Sequence, residues 1–277
     1  MHRITAAHLV LALSTLAVAL APQPLARAEL PLRLFPECAE ARQEPECPSD
    51  LNGAWNLVSY VDPGYVSVRP EELDLGSGIA ADVAWGITTG STEVVIAVLD
   101  SGIKWDNGDT RRKHYLNRGE LSEPQDAEGL TVPGVWDLDG DGVFTIDDYA
   151  SDPRVSPADG VDAADHHLDP SDLIHNPLFA DGVDDDANGY VDDISGWDFH
   201  WNDNDPYDDT RYGHGTFEAE ESCAEGGDGG DIGVCPSCML LNVRTGDAFI
   251  MDGDNFASGV IFSADSGASV VQAASGT

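Results

Sequence analysis

A chain of 277 residues, 42% of them hydrophobic, is long enough for one large domain or two modest ones, and wholesale disorder is excluded. The 51 acidic residues outweigh the 13 basic residues, which gives a formal net charge of −38. A field of this sign repels phosphate backbones and anionic lipid, so nucleic acid and membrane surfaces are poor partners, whereas cations are attracted.

The N-terminus has the layout of a secretory signal peptide over residues 1–28. A weakly basic start precedes an apolar run from Leu9 to Ala21, and the small-residue sequence ARA then ends at Ala28. The run is too short to span a bilayer, so we expect cleavage after Ala28 and export to the periplasm or the extracellular medium. Residues 29–75 are mixed and Pro-rich, as in a mature N-terminal segment or a short pro-region.

The elements that follow predict an α/β fold with a doubly wound parallel sheet covered by helices. Apolar residues at helical spacing predict a helix within 77–90, and the run EVVIAVL (93–99) predicts a strand buried on both faces. The remaining predicted elements are a helix at 215–224, a strand at 239–244, a helix around 256–264 that ends near Gly267, and a strand at 268–274. The last three form a βαβ unit.

Residues 104–210 are acidic, rich in Gly, Pro and Asn, and poor in apolar runs, which predicts an inserted region with its own organising principle. Its segment DLDGDGVFTIDD (137–148) has the spacing of an EF-hand loop, with acids at positions 1, 3, 5 and 12 and glycine at position 6. A tight turn at the glycine lets alternate side chains point at one hard cation. The predicted Ca²⁺ ligands are Asp137, Asp139, Asp141, the carbonyl of Val143, and Asp148.

A second acidic loop, DDDANGYVDD (184–193), follows the same pattern less closely, because its twelfth position is Ser195. Its predicted ligands are Asp184, Asp186, Asn188 and Asp192. The alternative for both loops is a solvated acidic surface. Structural Ca²⁺ would offset the repulsion among like charges packed this densely.

Five cysteines remain after cleavage. Export permits disulfides, and Cys38 and Cys47 are a plausible local bridge. The CPSC at 235–238 allows a redox site or half of a zinc site, but a single C-x-x-C is weak evidence for zinc. We therefore expect structural disulfides that involve Cys223, with one thiol left over.

Two residues are candidates for acid–base chemistry. Asp100 stands at the carboxyl end of the predicted buried strand, and active sites are built at that edge of α/β sheets. His214 lies between Gly213 and Gly215, which leave space for a substrate group to approach the ring. A general base needs access, orientation and a suitable pKa, and an aspartate bonded to the second ring nitrogen would supply the orientation.

The segments VVIAVLDSGI (94–103) and YGHGT (212–216), in this order, resemble the Asp and His motifs of the subtilisin-like serine peptidases, or subtilases. ANGYVDDISGWDF (187–199) and the segments after residue 238 resemble neighbouring parts of these peptidases, so the similarity covers roughly residues 75–277. The resemblance implies hydrolysis of polypeptide substrates on a doubly wound α/β fold, often with bound Ca²⁺. It also implies that Asp100 orients the imidazole and that His214 shuttles the proton between a serine and the leaving amine.

The chain departs from the family pattern in three ways. No G-T-S-x-A nucleophile motif and no oxyanion-hole asparagine follow His214, and Phe217 and Glu218 stand where many subtilases have a second histidine and a valine. We therefore interpret residues 76–277 as a partial peptidase domain of an exported subtilase, with a sheet incomplete at its C-terminal side. This chain alone is expected to be inactive, and an unpaired strand edge is expected to promote aggregation.

Two other functions compete with this interpretation. The acidic loops also suit a non-catalytic, secreted calcium-binding protein on a degenerate peptidase scaffold. A metal hydrolase built on His166, His167 and His175 is disfavoured, because no spacing like H-E-x-x-H occurs.

Overall fold

A computed structural model describes Leu57 and residues 79–161, 167–226, 230–247 and 251–274. The described residues belong to one compact unit of the chain, residues 32–277. The predicted signal peptide, the Cys38–Cys47 bridge, His166 and, apart from Leu57, the N-terminal segment lie outside them.

A parallel sheet of four strands forms the centre of the fold, with the order β2-β3-β1-β4. The strands are β1 (Val95–Asp100), β2 (Gly196–Asp198), β3 (Met239–Arg244) and β4 (Val270–Gln272). The two central strands are buried at every position, as their near-continuous apolar runs predict. Their pairing runs from Val95 opposite Met239 to Asp100 opposite Arg244, so both strands end at the same edge.

The helices of the described residues are α1 (Ala81–Trp85), α2 (Ser171–Ile174), α3 (His214–Cys223) and α4 (Gly253–Asp265). Of these, α3 and α4 cover the two faces of the sheet. Alternate residues of β1 point to opposite faces: Val98 packs in one cluster with Ala219 of α3, and Leu99 packs in another with Phe262 of α4. The predicted α/β fold with a doubly wound parallel sheet is therefore confirmed.

The boundary of α4 shows how local signals define a helix. Asp252 caps its N-terminus by accepting the Asp254 N–H at 3.0 Å. Gly267, with φ of 86°, follows the last turn in the left-handed conformation, as its position in the sequence predicts. The predicted helix within 77–90 is much shorter in the structure, because only Ala81–Trp85 are helical.

The region 104–210 has a hydrophobic core of its own, in which Trp105, Ile146, Tyr149 and Leu173 are buried. It also contributes β2 to the sheet, so it is not only an insertion as the sequence suggests. This strand has three residues, Gly-Trp-Asp, and no apolar run that a periodicity argument could detect. A Cβ at Gly196 would collide with the backbone of Asn242, so only glycine permits this approach.

The strand β4 forms the opposite edge of the sheet from β2. Its Val270 and Val271 are 48% and 40% exposed, and within the described part of the chain β4 pairs with β1 alone. None of the helices in the described residues has both the length and the apolar character that a membrane span requires.

Candidate active site

The carboxylate of Asp100 lies at the end of β1 and is almost completely buried, with 1% of the residue exposed. One of its oxygens, Oδ1, accepts the backbone N–H of Ser101 at 2.7 Å. The buried strand thus delivers a desolvated carboxylate to the edge of the sheet at which ligands bind in open α/β folds.

His214 is the first residue of α3, and its ring meets Asp100 across 114 residues of sequence. Nδ1 lies 2.8 Å from Oδ1 and 2.9 Å from Oδ2 of Asp100. An ionised carboxylate only accepts hydrogen bonds, so Nδ1 donates, and in the neutral ring Nε2 keeps the lone pair. The imidazole is 18% exposed and therefore open to solvent on one side. This arrangement is that of an oriented general base.

Gly215 has a different role from the one the sequence suggests. A Cβ at this position would collide with the carbonyl oxygen of Gly102 and lie 3.0 Å from Cβ of Asp100. The missing side chain lets the start of α3 dock on the end of β1, which brings His214 to Asp100. Gly213 adopts a left-handed conformation, with φ of 70°, as the residue that precedes α3.

The buried carboxylate of Asp208 anchors the first turn of α3 to the preceding loop. It accepts the hydroxyl of Thr216 at 2.9 Å and the hydroxyl of Thr210 at 2.6 Å. Thr216 in turn accepts the backbone N–H of Lys104 at 3.1 Å. These contacts hold the helix start in place beneath the imidazole, and no sequence pattern identifies Asp208 as part of the site.

The other ring nitrogen of His214 faces a second carboxylate. Glu218 Oε1 lies 3.8 Å from Nε2, and Glu218 Oε2 accepts the side-chain amide of Gln272 at 2.6 Å. Burial raises the pKa of Glu218, and the charge of Glu221 adds to this effect. Glu218 follows His214 by four residues on α3, a spacing that places the two side chains on the same face of the helix.

A buried arginine lies at the same edge of the sheet. Arg244, 3% exposed at its side chain, contacts the carboxylates of Asp209 at 2.7 Å, Asp247 at 2.8 Å and Asp198 at 3.5 Å. Burial is the main cause that raises the pKa of Asp198 to about 6, and the arginine opposes it. The guanidinium thus compensates a carboxylate that the fold removes from water.

The first acidic loop brings three of its predicted ligands together. Carboxylate oxygens of Asp137, Asp139 and Asp141 lie within 4.8 Å of one another. Asp148 is not part of this group: it is buried, and its oxygens accept the N–H groups of Leu138 at 2.6 Å and of Thr145 at 2.9 Å. Val143 donates its own N–H to Asp141 at 2.8 Å. In this structure Asp148 braces the loop from inside rather than facing the cluster.

The second acidic loop gains a residue that its sequence does not contain. Asp184 and Asp186 group with Glu120, which lies more than 60 residues earlier. Asn188 donates its backbone N–H to Asp184 and Asp186 at 3.0 Å and its side-chain amide to Asp193 at 3.1 Å. The carboxylate of Asp192 instead accepts the N–H of Gly182 at 2.9 Å. A third acidic group, which no single stretch of sequence contains, consists of Asp109, Glu220 and Asp231.

The histidine-based site of a metal hydrolase has no matching cluster among the described residues. Among the described residues, groups of three or more possible metal ligands contain only Asp and Glu. His175 instead pairs through Nε2 with Asp205 at 3.1 Å.

The cysteines pair differently from the expectation. Cys235 forms a disulfide with Cys238, whereas Cys223 is a buried free thiol. The prediction of a disulfide that involves Cys223 is therefore wrong. The two half-cystines lie in one short loop, and helix α3 buries the third cysteine against the sheet.

Comparison with models of protein families matches the subtilase family, peptidase S8, over residues 91–277. The matched region includes both Asp100 and His214 and spans more than half of the chain. Comparison with curated proteins gives no match.

Proposed function

The chain belongs to the subtilase family, and we propose that it is a subtilisin-like serine endopeptidase in which Asp100 and His214 are two members of the catalytic triad. The observation that carries this proposal is the contact between Nδ1 of His214 and both oxygens of Asp100, at 2.8 and 2.9 Å. Polypeptides are the proposed substrates.

The geometry defines what each group does in peptide-bond hydrolysis. Asp100 holds the imidazole with its proton on Nδ1, so Nε2 takes the proton of the attacking serine hydroxyl. The imidazolium that results is stabilised by the buried carboxylate of Asp100. It then gives the Nε2 proton to the leaving amine, which breaks the C–N bond of the substrate.

Peptide hydrolysis by the full-length protein tests these roles. We expect Asp100→Asn and His214→Ala each to lower kcat/KM on an unfolded protein substrate by about four orders of magnitude. His175→Ala, which alters a histidine paired with Asp205, serves as the matched control and is expected to retain activity. Activity that survives both triad substitutions would refute the assignment.

The nucleophile is a separate question, because none of the serines after His214 lies in a G-T-S-x-A motif. The hydroxyl of Ser263 donates to the carbonyl of Gly259 at 2.6 Å, and that of Ser237 bonds Thr89 at 2.8 Å. Ser275 lies outside the described residues. We expect a fluorophosphonate probe to leave the 277-residue polypeptide unlabelled, and labelling would contradict this and identify the serine by peptide mapping.

The competing function, a non-catalytic calcium-binding protein, is supported by the acidic clusters alone. The DNA beyond codon 277 separates the two functions. A G-T-S-x-A motif in frame supports the peptidase, and its absence from all frames supports the competing function.

We also propose that the two acidic loops bind structural Ca²⁺, with Asp137, Asp139 and Asp141 at one site. Their clustered carboxylates are hard oxygen donors of the kind that Ca²⁺ prefers. Calorimetric titration of Ca²⁺ is expected to release heat that Asp139→Asn reduces and that the exposed control Asp159→Asn leaves unchanged. Absence of both heat and thermal stabilisation would exclude these sites.

Export is proposed on the basis of the signal-peptide layout before Ala28. N-terminal sequencing of the protein recovered from the culture medium or periplasm is expected to begin at Glu29. Recovery of the intact N-terminus from the cytoplasm would contradict export.

A further inference from the structure

The disulfide between Cys235 and Cys238 encloses only two intervening residues. A cross-link stabilises a fold mainly by restricting the unfolded chain, and the effect grows with the length of the loop that it closes. A loop this short restricts the unfolded chain least, so a role as a structural staple explains the disulfide poorly. The two residues also differ in burial: Cys235 is half-buried, whereas Cys238 is fully buried.

The segment Thr89–Gly90 holds the Cys235–Cys238 loop in place, and no side chain separates Gly90 from the disulfide. A Cβ at Gly90 would collide with the sulfurs of both cysteines, so the backbone packs directly on the disulfide. Thr89 fixes the loop through its carbonyl, which accepts the N–H of Ser237 at 3.0 Å, and through its hydroxyl, which bonds the Ser237 hydroxyl at 2.8 Å.

A buried cation lies against the same loop. Lys113 is 6% exposed, and its Nζ donates to the carbonyl oxygen of Pro236 at 2.6 Å. Burial lowers the pKa of this ammonium group, and the charge of Glu225 opposes the effect. A neighbouring cation favours the thiolate form of cysteine, which is the reactive form in thiol–disulfide exchange.

A cavity of about 400 Å³ opens beside the loop, and we call it the exchange pocket. Its lining includes Thr89, Thr92, Lys113, Glu225, Pro236 and Ser237. The two residues between the cysteines thus form part of its wall, next to a lysine and a glutamate that can contact the charged ends of a small molecule.

We propose that Cys235–Cys238 is a thiol–disulfide exchange site whose reductant is a small charged thiol that approaches from the exchange pocket, which borders the loop through Pro236 and Ser237. The incoming thiolate attacks Sγ of Cys235, the less buried of the two residues. A mixed disulfide forms, the Cys235–Cys238 bond breaks, and the electron pair leaves on Cys238, which then takes up a proton. A second thiol attacks the external sulfur of the mixed disulfide, so two small thiols become one disulfide and both cysteines are reduced.

Cys223 provides an internal reference for this chemistry. Burial raises the pKa of its thiol to about 12, so it remains protonated and unreactive at neutral pH in the folded protein. Labelling of Cys223 therefore reports unfolding rather than exchange.

The test exposes the native protein to reduced glutathione, traps thiols with iodoacetamide and locates them by peptide mass spectrometry. Cys235 and Cys238 are expected to become labelled while Cys223 is protected and the melting temperature is retained. Oxidised glutathione is expected to modify Cys235 in Cys238→Ser about tenfold faster than Cys238 in Cys235→Ser, because access limits the buried sulfur. Lys113→Met is expected to slow exchange several-fold, whereas the control Lys104→Met, at the only other lysine, leaves the rate unchanged.

Three results would overturn the proposal. A disulfide that resists glutathione in the folded protein is not an exchange site. Labelling of Cys223 together with the other two cysteines would show that reduction unfolds the domain and that the disulfide is structural. Equal rates in Lys113→Met and wild type would remove the cation from the mechanism.

Discussion

His114 gives the protein a stability that depends on pH. The residue is 1% exposed and packs edge-on against Trp105, with ring centroids 4.7 Å apart. Among the described residues, neither of its ring nitrogens has a hydrogen-bond partner. Burial lowers the pKa of His114 from 6.5 to about 3. The neutral imidazole is therefore the form that the folded protein accepts.

The sign and size of the effect follow from these two pKa values. Between pH 6.5 and about 3 the unfolded chain binds one more proton than the native protein, so the free energy of unfolding falls as the pH falls. The slope is about 1.4 kcal/mol per pH unit, which amounts to about 2 kcal/mol at pH 5. His114→Leu removes this loss, because leucine fills an apolar site without binding a proton.

Urea unfolding followed by tryptophan fluorescence at pH 7.5 and pH 5.0 measures the difference. Wild type is expected to lose about 2 kcal/mol more than His114→Leu between the two pH values. His175→Leu is the control of opposite sign. Its hydrogen bond to Asp205 raises the pKa of His175, so that stabilisation is present at low pH and is lost as the pH rises through the raised value. Equal losses in wild type and His114→Leu would refute the buried, neutral histidine.

Three further predictions concern the sheet and its edge. Gly215→Ala should destabilise the fold by about 1–3 kcal/mol and reduce peptide hydrolysis by the full-length protein, since the added methyl group pushes α3 off β1. A melting temperature equal to wild type would contradict the tight docking. Arg244→Met should cost about 3–5 kcal/mol in urea unfolding at pH 7, because Asp198 stays buried without its cation, and adding Asp198→Asn should restore part of the loss; a cost below about 1 kcal/mol would show that the pair is not effectively buried. Val271→Lys should reduce self-association in sedimentation experiments with little change in stability, because this edge valine is 40% exposed; unchanged association would place the contact elsewhere.

Short sequence patterns were sufficient to predict those elements whose own residues show the periodicity or the cap of a helix or strand. The apolar runs of β1 and β3 predicted two buried strands, and in the structure every residue of both is buried. The spacing of apolar residues and Gly267 predicted α4 and its end. The order of the Asp100 and His214 motifs indicated the family, and the family match supports it. Each of these signals lies within a few residues of the structure that it specifies.

Contacts between distant segments could not be predicted in this way. Glu120 joins Asp184 and Asp186, and Gly90 packs on the Cys235–Cys238 disulfide, only because the fold brings separate loops together. The strand β2 is too short to show periodicity, and it is defined by pairing with β3.

The sequence by itself determined which residues have the chemistry of a base, its orienting acid and a set of oxygen ligands. The tertiary structure decided which of them meet. It placed His214 against Asp100, where the missing side chain at Gly215 lets α3 dock on β1, and it turned Asp148 inward to hold a loop. The physical reason is that side-chain chemistry and helical or strand periodicity are local properties, whereas a distance of 2.8 Å between groups 114 residues apart depends on the packing of the whole sheet.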